Sequence, residues 1–192
     1  MVIEQTPETR RRILAAGIPP RLRGLSLMAD ERFPLTGVEV SPPDVMQRWI
    51  DRLYAGQIVR AEAQLDFCGR GVWAVGPRSS AYLTALMRDF MVRTPATGLY
   101  LNVEDYLDSN RPDRDPSAGI RALEVDLLVL ANVGSEVPTE WSGGTIRGLL
   151  LKRFDDGLPT LVSAICEPTR YLVETLAREV LLRIGTMRKE DE

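Results

Sequence analysis

From Gly71 onward, short apolar runs alternate with amphipathic stretches, the pattern of a parallel sheet covered by helices on both faces. GVWAV (71–75), LYLNV (99–103), DLLVL (126–130) and TLVSA (160–164) read as buried strands. Between them, residues 81–92 follow the first strand as a helix and residues 141–156 form another, ended by Gly157. Pro168 opens a last helix that the pattern carries to about Arg183. The polar run DSNRPDRDPSAG (108–119) reads as an exposed loop. Upstream, Thr6-Pro7-Glu8 starts a short helix over residues 9–16, which Gly17 and Pro19-Pro20 terminate. Residues 21–40 keep no sustained period and contain Gly24, Pro34 and Gly37, so they read as irregular structure. Ser41 caps a further helix with Val45, Trp49, Ile50 and Leu53 on one face, and Gly56 weakens its continuation.

A chain of 192 residues suits one α/β domain. No apolar run approaches the ~20 residues of a membrane span, and MVIEQTPETRRR has no apolar signal core, so a cytoplasmic protein without membrane contact is expected. Cys68 and Cys166 are far apart and outside any C-x-x-C pattern, so no metal site is expected from them. The absence of histidine excludes His-based triads and most catalytic zinc sites. Lysine occurs only at Lys152 and Lys189, which nearly excludes covalent lysine chemistry. The net charge of −3 conceals a cluster of Arg10, Arg11, Arg12, Arg21 and Arg23 near the start. Such an arm can meet the phosphates of DNA, although a solvated helix face has the same composition.

The order strand, turn, helix at GVWAV, GPRSS and the following helix is that of a P-loop, which wraps backbone N–H groups around phosphate and adds a lysine and a hydroxyl. Starting at Gly76, the G-x-x-x-x-G-K-[ST] spacing passes Pro77, Arg78, Ser79 and Ser80, then puts Ala81 at the second glycine, Tyr82 at the lysine and Leu83 at the hydroxyl. A two-residue deletion would improve the helix register, but no lysine precedes Lys152. Phosphoryl chemistry also needs an apolar strand ending in carboxylates. Here DLLVL ends in Ala131-Asn132, and Asp126 stands at the opposite end of the strand. Arg78 with Ser79 and Ser80 could still hold an anion at the helix start. Tyr82 could fill the space a nucleotide would leave.

The succession GVWAVGP, LYLNVEDYLD, DLLVLANVGSEVPTEW, LLLKRFDDGLPTLVSA and LAREVLLRI resembles the DnaC-like helicase loaders and the IstB-like transposase helpers of the AAA+ group. The resemblance covers roughly residues 10–185, with Gly134, Glu136, Pro138, Thr139 and Trp141 matching its most specific stretch. It implies a P-loop NTPase fold (AAA+/RecA-like), a three-layer sandwich with a mainly parallel sheet, as residues 41–192 behind an arm and linker of residues 1–40. It further implies DLLVL directly beside GVWAV, with LYLNV outside it. By the same resemblance, Arg153 reaches toward a neighbouring subunit and Arg183 lies on the last helix, both as phosphate or partner contacts. The polar residue expected at the end of TLVSA is Ala164 or Ile165 here. About 40 residues precede the Ser41 helix, too few for the family's N-terminal helicase-binding module.

The expected function is a catalytically inactive binding protein in DNA replication. Its expected partners are a replicative helicase, a competent AAA+ loader, a second copy of itself or DNA, and no nucleotide cofactor is expected. Two alternatives stay open at this point. One is a weak ATPase that binds ATP and Mg²⁺ through Arg78 and unusual ligands; the other is a phage-type regulator of a host factor with no DNA role.

Overall fold

The computed structural model describes residues 6–25, 71–75 and 79–185. The helix expected after Ser41, the boundary at residue 40, Cys68 and the turn residues Gly76, Pro77 and Arg78 lie outside the described residues.

Among the described residues, five strands form one sheet in which every pairing is parallel: β1 (Gly71–Val75), β2 (Gly98–Asn102), β3 (Leu127–Val133), β4 (Thr160–Ala164) and β5 (Leu181–Gly185). Their order is β2-β3-β4-β1-β5. The apolar runs are long because helices cover the sheet on both faces, so residues of either parity along a strand are buried. Val72, Ala74, Leu127, Val129 and Leu161 face one layer. Trp73, Leu128, Leu130 and Val162 face the other.

The first layer contains α1 (Pro7–Ala15) and α2 (Ser79–Arg93). Thr6 caps α1 through its side chain, and Gly17 ends it at a φ of 70° that an L side chain rarely adopts. Residues 6–25 of the arm are built into the core rather than trailing from it. Ile13, Ala16, Ile18, Leu22 and Leu25 are buried against α2, and the Tyr100 amide donates to the Ala16 carbonyl at 2.7 Å. Arg12 is committed to the same seam, donating to the carbonyls of Thr94 and Ala96 at 2.8 and 2.7 Å.

The second layer contains α3 (Val103–Ser109), α4 (Ser117–Glu124), α5 (Glu140–Asp155) and α6 (Glu174–Val180). Asn102 caps α3, and a reciprocal Thr139–Ser142 capping box starts α5.

Three expectations need correction. DLLVL does not adjoin GVWAV; β4 stands between them, pairing Leu161 with Val72 on one side and Val162 with Leu130 on the other. Uniformly apolar strands carry no information about which neighbour each will take. LYLNV does lie outside DLLVL, as expected. Second, the last helix does not run from Pro168 to Arg183. A 3-10 turn at Pro168–Arg170 and the seven residues of α6 are followed by edge strand β5. Third, the loop over 108–119 is shorter than it reads, because α3 extends to Ser109 and α4 begins at Ser117.

Candidate nucleotide site

In a parallel sheet of this kind the ligand site lies beyond the carboxyl ends of the strands. Four segments meet there: the start of α2, the end of β3, the end of β4 and the loops that follow them. Strand β1 ends at Val75 and α2 begins at Ser79, so only residues 76–78 separate them. The helix therefore starts two residues before the position where the P-loop spacing puts the second glycine. Ser79, Ser80, Ala81 and Tyr82 are helical residues.

Their side chains are turned to internal partners. The buried Ser79 hydroxyl meets that of Ser163 on β4 at 2.7 Å, joining the start of α2 to the neighbouring strand. The Ser80 hydroxyl lies 3.2 Å from that of Tyr100 on β2. Ala81 is buried, and Tyr82 packs on the α1/α2 layer, where burial pushes its phenol well above the ordinary range. The early helix start thus turns Tyr82, which the P-loop spacing puts at the lysine, into the α1/α2 layer, where its neutral phenol brings no positive charge.

At the end of β3, Ala131 is completely buried and Asn132 is exposed with a φ of 62°. The β3–β4 register jumps from Leu130↔Val162 to Val133↔Ala164, so β3 advances three residues where β4 advances two. The strand thus carries its extra residue where the two acids would stand. Asparagine tolerates the left-handed conformation this requires. Asp126, at the other end of β3, accepts from the Thr97 amide and hydroxyl at 2.8 and 2.9 Å. The described residues therefore lack the lysine and the acids through which a P-loop site holds a magnesium nucleotide. They place no cation at the lysine slot and no carboxylate at the end of β3, and among them no group of three acidic, Cys or His side chains could hold a metal ion.

Arg153 is turned inward, contrary to expectation. Although it sits in the last turn of α5, none of it is exposed. Its guanidinium donates four hydrogen bonds: to Thr160 Oγ1 at 2.9 Å, to the carbonyls of Ala122 and Val125 at 2.8 and 2.9 Å, and to that of Pro159 at 2.9 Å. Burial lowers its pKa to about 10, against the opposing pull of Asp126 and Asp156, so it remains cationic at neutral pH. A planar fork with donors on all sides suits this junction of α4, α5 and β4. Arg183 lies on β5, in register with Trp73, rather than on the last helix. Of the arm arginines, Arg10, Arg11 and Arg21 are exposed, whereas Arg12 is tied down as described and Arg23 donates to the Ile18 carbonyl at 2.8 Å.

One cluster escaped the sequence. The buried Glu136 accepts from the Gly134 amide at 2.7 Å and from the Tyr171 hydroxyl in a short hydrogen bond. Arg170 flanks the same carboxylate at 3.8 Å. Trp73 packs against Tyr171 and donates to the Cys166 carbonyl at 2.8 Å. These contacts lock the loop after β3 to the loop after β4. Gly134 has a φ of 101°, and a Cβ there would come within 2.8 Å of Cys166 and Ile165. Gly134, Glu136 and Thr139 of the matching stretch thus serve loop closure and helix capping. Only the 35-residue separation of Glu136 from Tyr171 hid the pair from local reading.

No protein-family model matches the chain, and no curated protein matches it. Solved structures do. The structure of DnaI superposes with a TM-score of 0.63 at 15% identity, covering 92% of this chain and 97% of that one. A primosome component from Streptococcus pyogenes serotype M3, itself described as putative, gives 0.59 at 13% identity over 93% and 96%. The DnaC helicase loader gives 0.58 at 14% identity over 88% and 100%. Identities this low speak to architecture alone, and with the strand order and layers above they establish that the chain has the P-loop fold of the AAA+ proteins.

Proposed function

We propose that this chain is a non-hydrolysing AAA+ protein that works by binding, as a helicase-loader-like partner in DNA replication. The observation that supports the reading is the completely buried, apolar Ala131 at the end of β3, where this fold would bring carboxylates to the nucleotide, together with the lack of any lysine before Lys152. Without a lysine or a terminal carboxylate, the site lacks the preorganised charges that stabilise phosphoryl transfer. The described replication proteins of the same fold, one of them a helicase loader, point to a replicative helicase or a competent loader as partner.

Two measurements test it. Isothermal titration of the full chain with ATP and Mg²⁺ should give no saturable heat, and no phosphate release above background should follow. Titration of the host's purified replicative helicase, or of its competent loader, should give binding in the micromolar range or tighter. Hydrolysis that disappears with Arg78→Ala would install the weak-ATPase reading instead. Failure to bind either partner would remove the replication role.

A further inference from the structure

A cavity of about 330 Å³ opens where the end of α1, the start of β2 and the last turn of α4 meet, at the opposite end of the sheet from the nucleotide slots. Its walls include Arg12 and Ala15 from α1, Arg121 and Glu124 from α4, and Val125 just after that helix. The volume is at the small end of ligand sites, which run from about 300 to 1,000 Å³.

The charges of this cavity are not spent on one another. Arg121 and Glu124 stand three residues apart on α4, the spacing at which opposite charges on a helix meet. Among the described residues no ion pair joins them. Arg121 instead crosses to α1 and donates through Nη2 to the Ala15 carbonyl at 2.9 Å. Glu124 is exposed and its carboxylate accepts no hydrogen bond from any described residue. Arg12 donates through Nη1 to the carbonyls of Thr94 and Ala96 and through Nη2 to Thr9 Oγ1, but its buried Nε has no partner among the described residues. A buried N–H without an acceptor is rare in a folded protein and marks a place where an acceptor from outside the chain belongs. The neighbouring acid Asp126 is turned to the amide and hydroxyl of Thr97. Two guanidinium groups thus border the cavity with a single carboxylate that neither of them neutralises.

That set of groups selects a ligand. A guanidinium presents a planar fork of donors that matches a carboxylate. A phosphate dianion would meet Glu124 in the same small space and be repelled. Glu124, which as a carboxylate only accepts, calls for a nitrogen donor close to the bound anion. Ala15 and Val125 give the walls an apolar part that suits an aliphatic body.

We propose that this cavity binds an aliphatic amino-acid residue by its free α-carboxylate, held by Arg121 and Arg12, with the α-nitrogen donating to Glu124. A free amino acid carries this chemistry with an ammonium as its α-nitrogen, and the last residue of a polypeptide carries it with an amide. The site shares no residue with the nucleotide slots, so titration with ATP does not report on it.

The test is titration of the nitrogen-labelled full chain with leucine, N-acetyl-leucine, leucinamide and inorganic phosphate, followed by amide NMR. Leucine or N-acetyl-leucine should saturate at about millimolar concentration or below. Either should move the amides of Ala15, Gly98 and Val125 and leave those of Ser79 and Asn132 in place. Leucinamide, which lacks the carboxylate, should not bind over the same range. Arg121→Gln should weaken both carboxylates by about tenfold or more. Glu124→Gln should weaken leucine more than N-acetyl-leucine, because an ammonium loses its opposite charge whereas an amide keeps an acceptor. Both side chains are exposed, so circular dichroism should show both variants folded. Tighter binding of N-acetyl-leucine than of leucine assigns the site to a chain terminus, and the reverse order assigns it to a free amino acid. No saturation by either carboxylate overturns the proposal, as does equal binding of leucinamide or an unchanged affinity in Arg121→Gln. Phosphate that displaces the carboxylates at equal or lower concentration overturns it too, and leaves a general anion site in its place.

Discussion

The guanidinium of Arg153 donates to the hydroxyl of Thr160 at 2.9 Å from inside the protein, seven residues along the chain and across the turn that joins α5 to β4. The same side chain satisfies three carbonyls, two of them at the end of α4 and just after it. It is therefore the polar rivet of the second helical layer, and its effects should be structural. Arg153→Ala should destabilise the fold by about 3 kcal/mol or more, since it strands several buried acceptors and leaves a cavity. Arg153→Lys should recover little of this, because an ammonium cannot reach four acceptors spread around a plane. Denaturant titration checks both; a loss under about 1 kcal/mol for the alanine variant would refute the role.

The end of β3 gives a paired prediction. Ala131→Asp puts a carboxylate where no solvent reaches, and should cost at least about 2 kcal/mol without creating ATP turnover. Asn132→Asp, at an exposed position, should be nearly neutral. Asn132→Val should cost about 1–2 kcal/mol because a β-branched residue resists a φ of 62°. Thermal unfolding of the three variants orders them, and an Ala131→Asp protein as stable as wild type would contradict the buried placement.

Tyr171→Phe removes the hydroxyl that serves Glu136 and leaves one carboxylate oxygen with only the more distant Arg170. The expected cost is about 1–3 kcal/mol. A double-mutant cycle with Glu136→Gln should show coupling between the two sites, since each loses the same contact. Additive effects would mean that the two loops are held by something else.

Alkaline pH should unfold the protein through its phenols. Burial raises the pKa of Tyr82, Tyr106 and Tyr171 above the ordinary value of 10.0, that of Tyr106 to about 12. For Tyr171 the hydrogen bond to Glu136 adds to the effect. Because the folded pKa exceeds the unfolded one, the stability these groups contribute is intact below pH 10 and drains as pH rises toward and through the folded values. Phenolate absorbance followed with circular dichroism should show part of the tyrosine titration delayed beyond pH 10 and coincident with unfolding. Complete ionisation with an ordinary midpoint in a folded protein would exclude the buried placements.

Four of the five strands were legible because each is a short apolar run bounded by turn residues, and GVWAV and TLVSA were read to the residue. The start of α1 was legible for a local reason too: Thr6 is a capping residue whose partner lies three positions on, whereas the Thr139 cap of α5 emerged only from the structure. The missing lysine and acids were likewise visible, since identity at a spaced position needs no structure. What the sequence determined by itself is therefore whatever depends on neighbours a few residues away: element type, caps, and the chemistry absent from the nucleotide slots.

The tertiary structure decided the rest. LAREVLLRI satisfies a helical period throughout, and only the open edge of β1 turned its second half into β5, taking Arg183 with it. Strand order was undecided because β1, β3 and β4 are apolar on both faces, so β4 could enter between β1 and β3 without any mark in its residues. Arg153 could not be told from a surface cation by sequence, because its four acceptors come from two segments, one of them up to 31 residues away. Whether an arginine faces water or carbonyls, and whether Glu136 meets Tyr171, is set by how the loops close over the ends of the strands, a long-range packing outcome that no local pattern encodes.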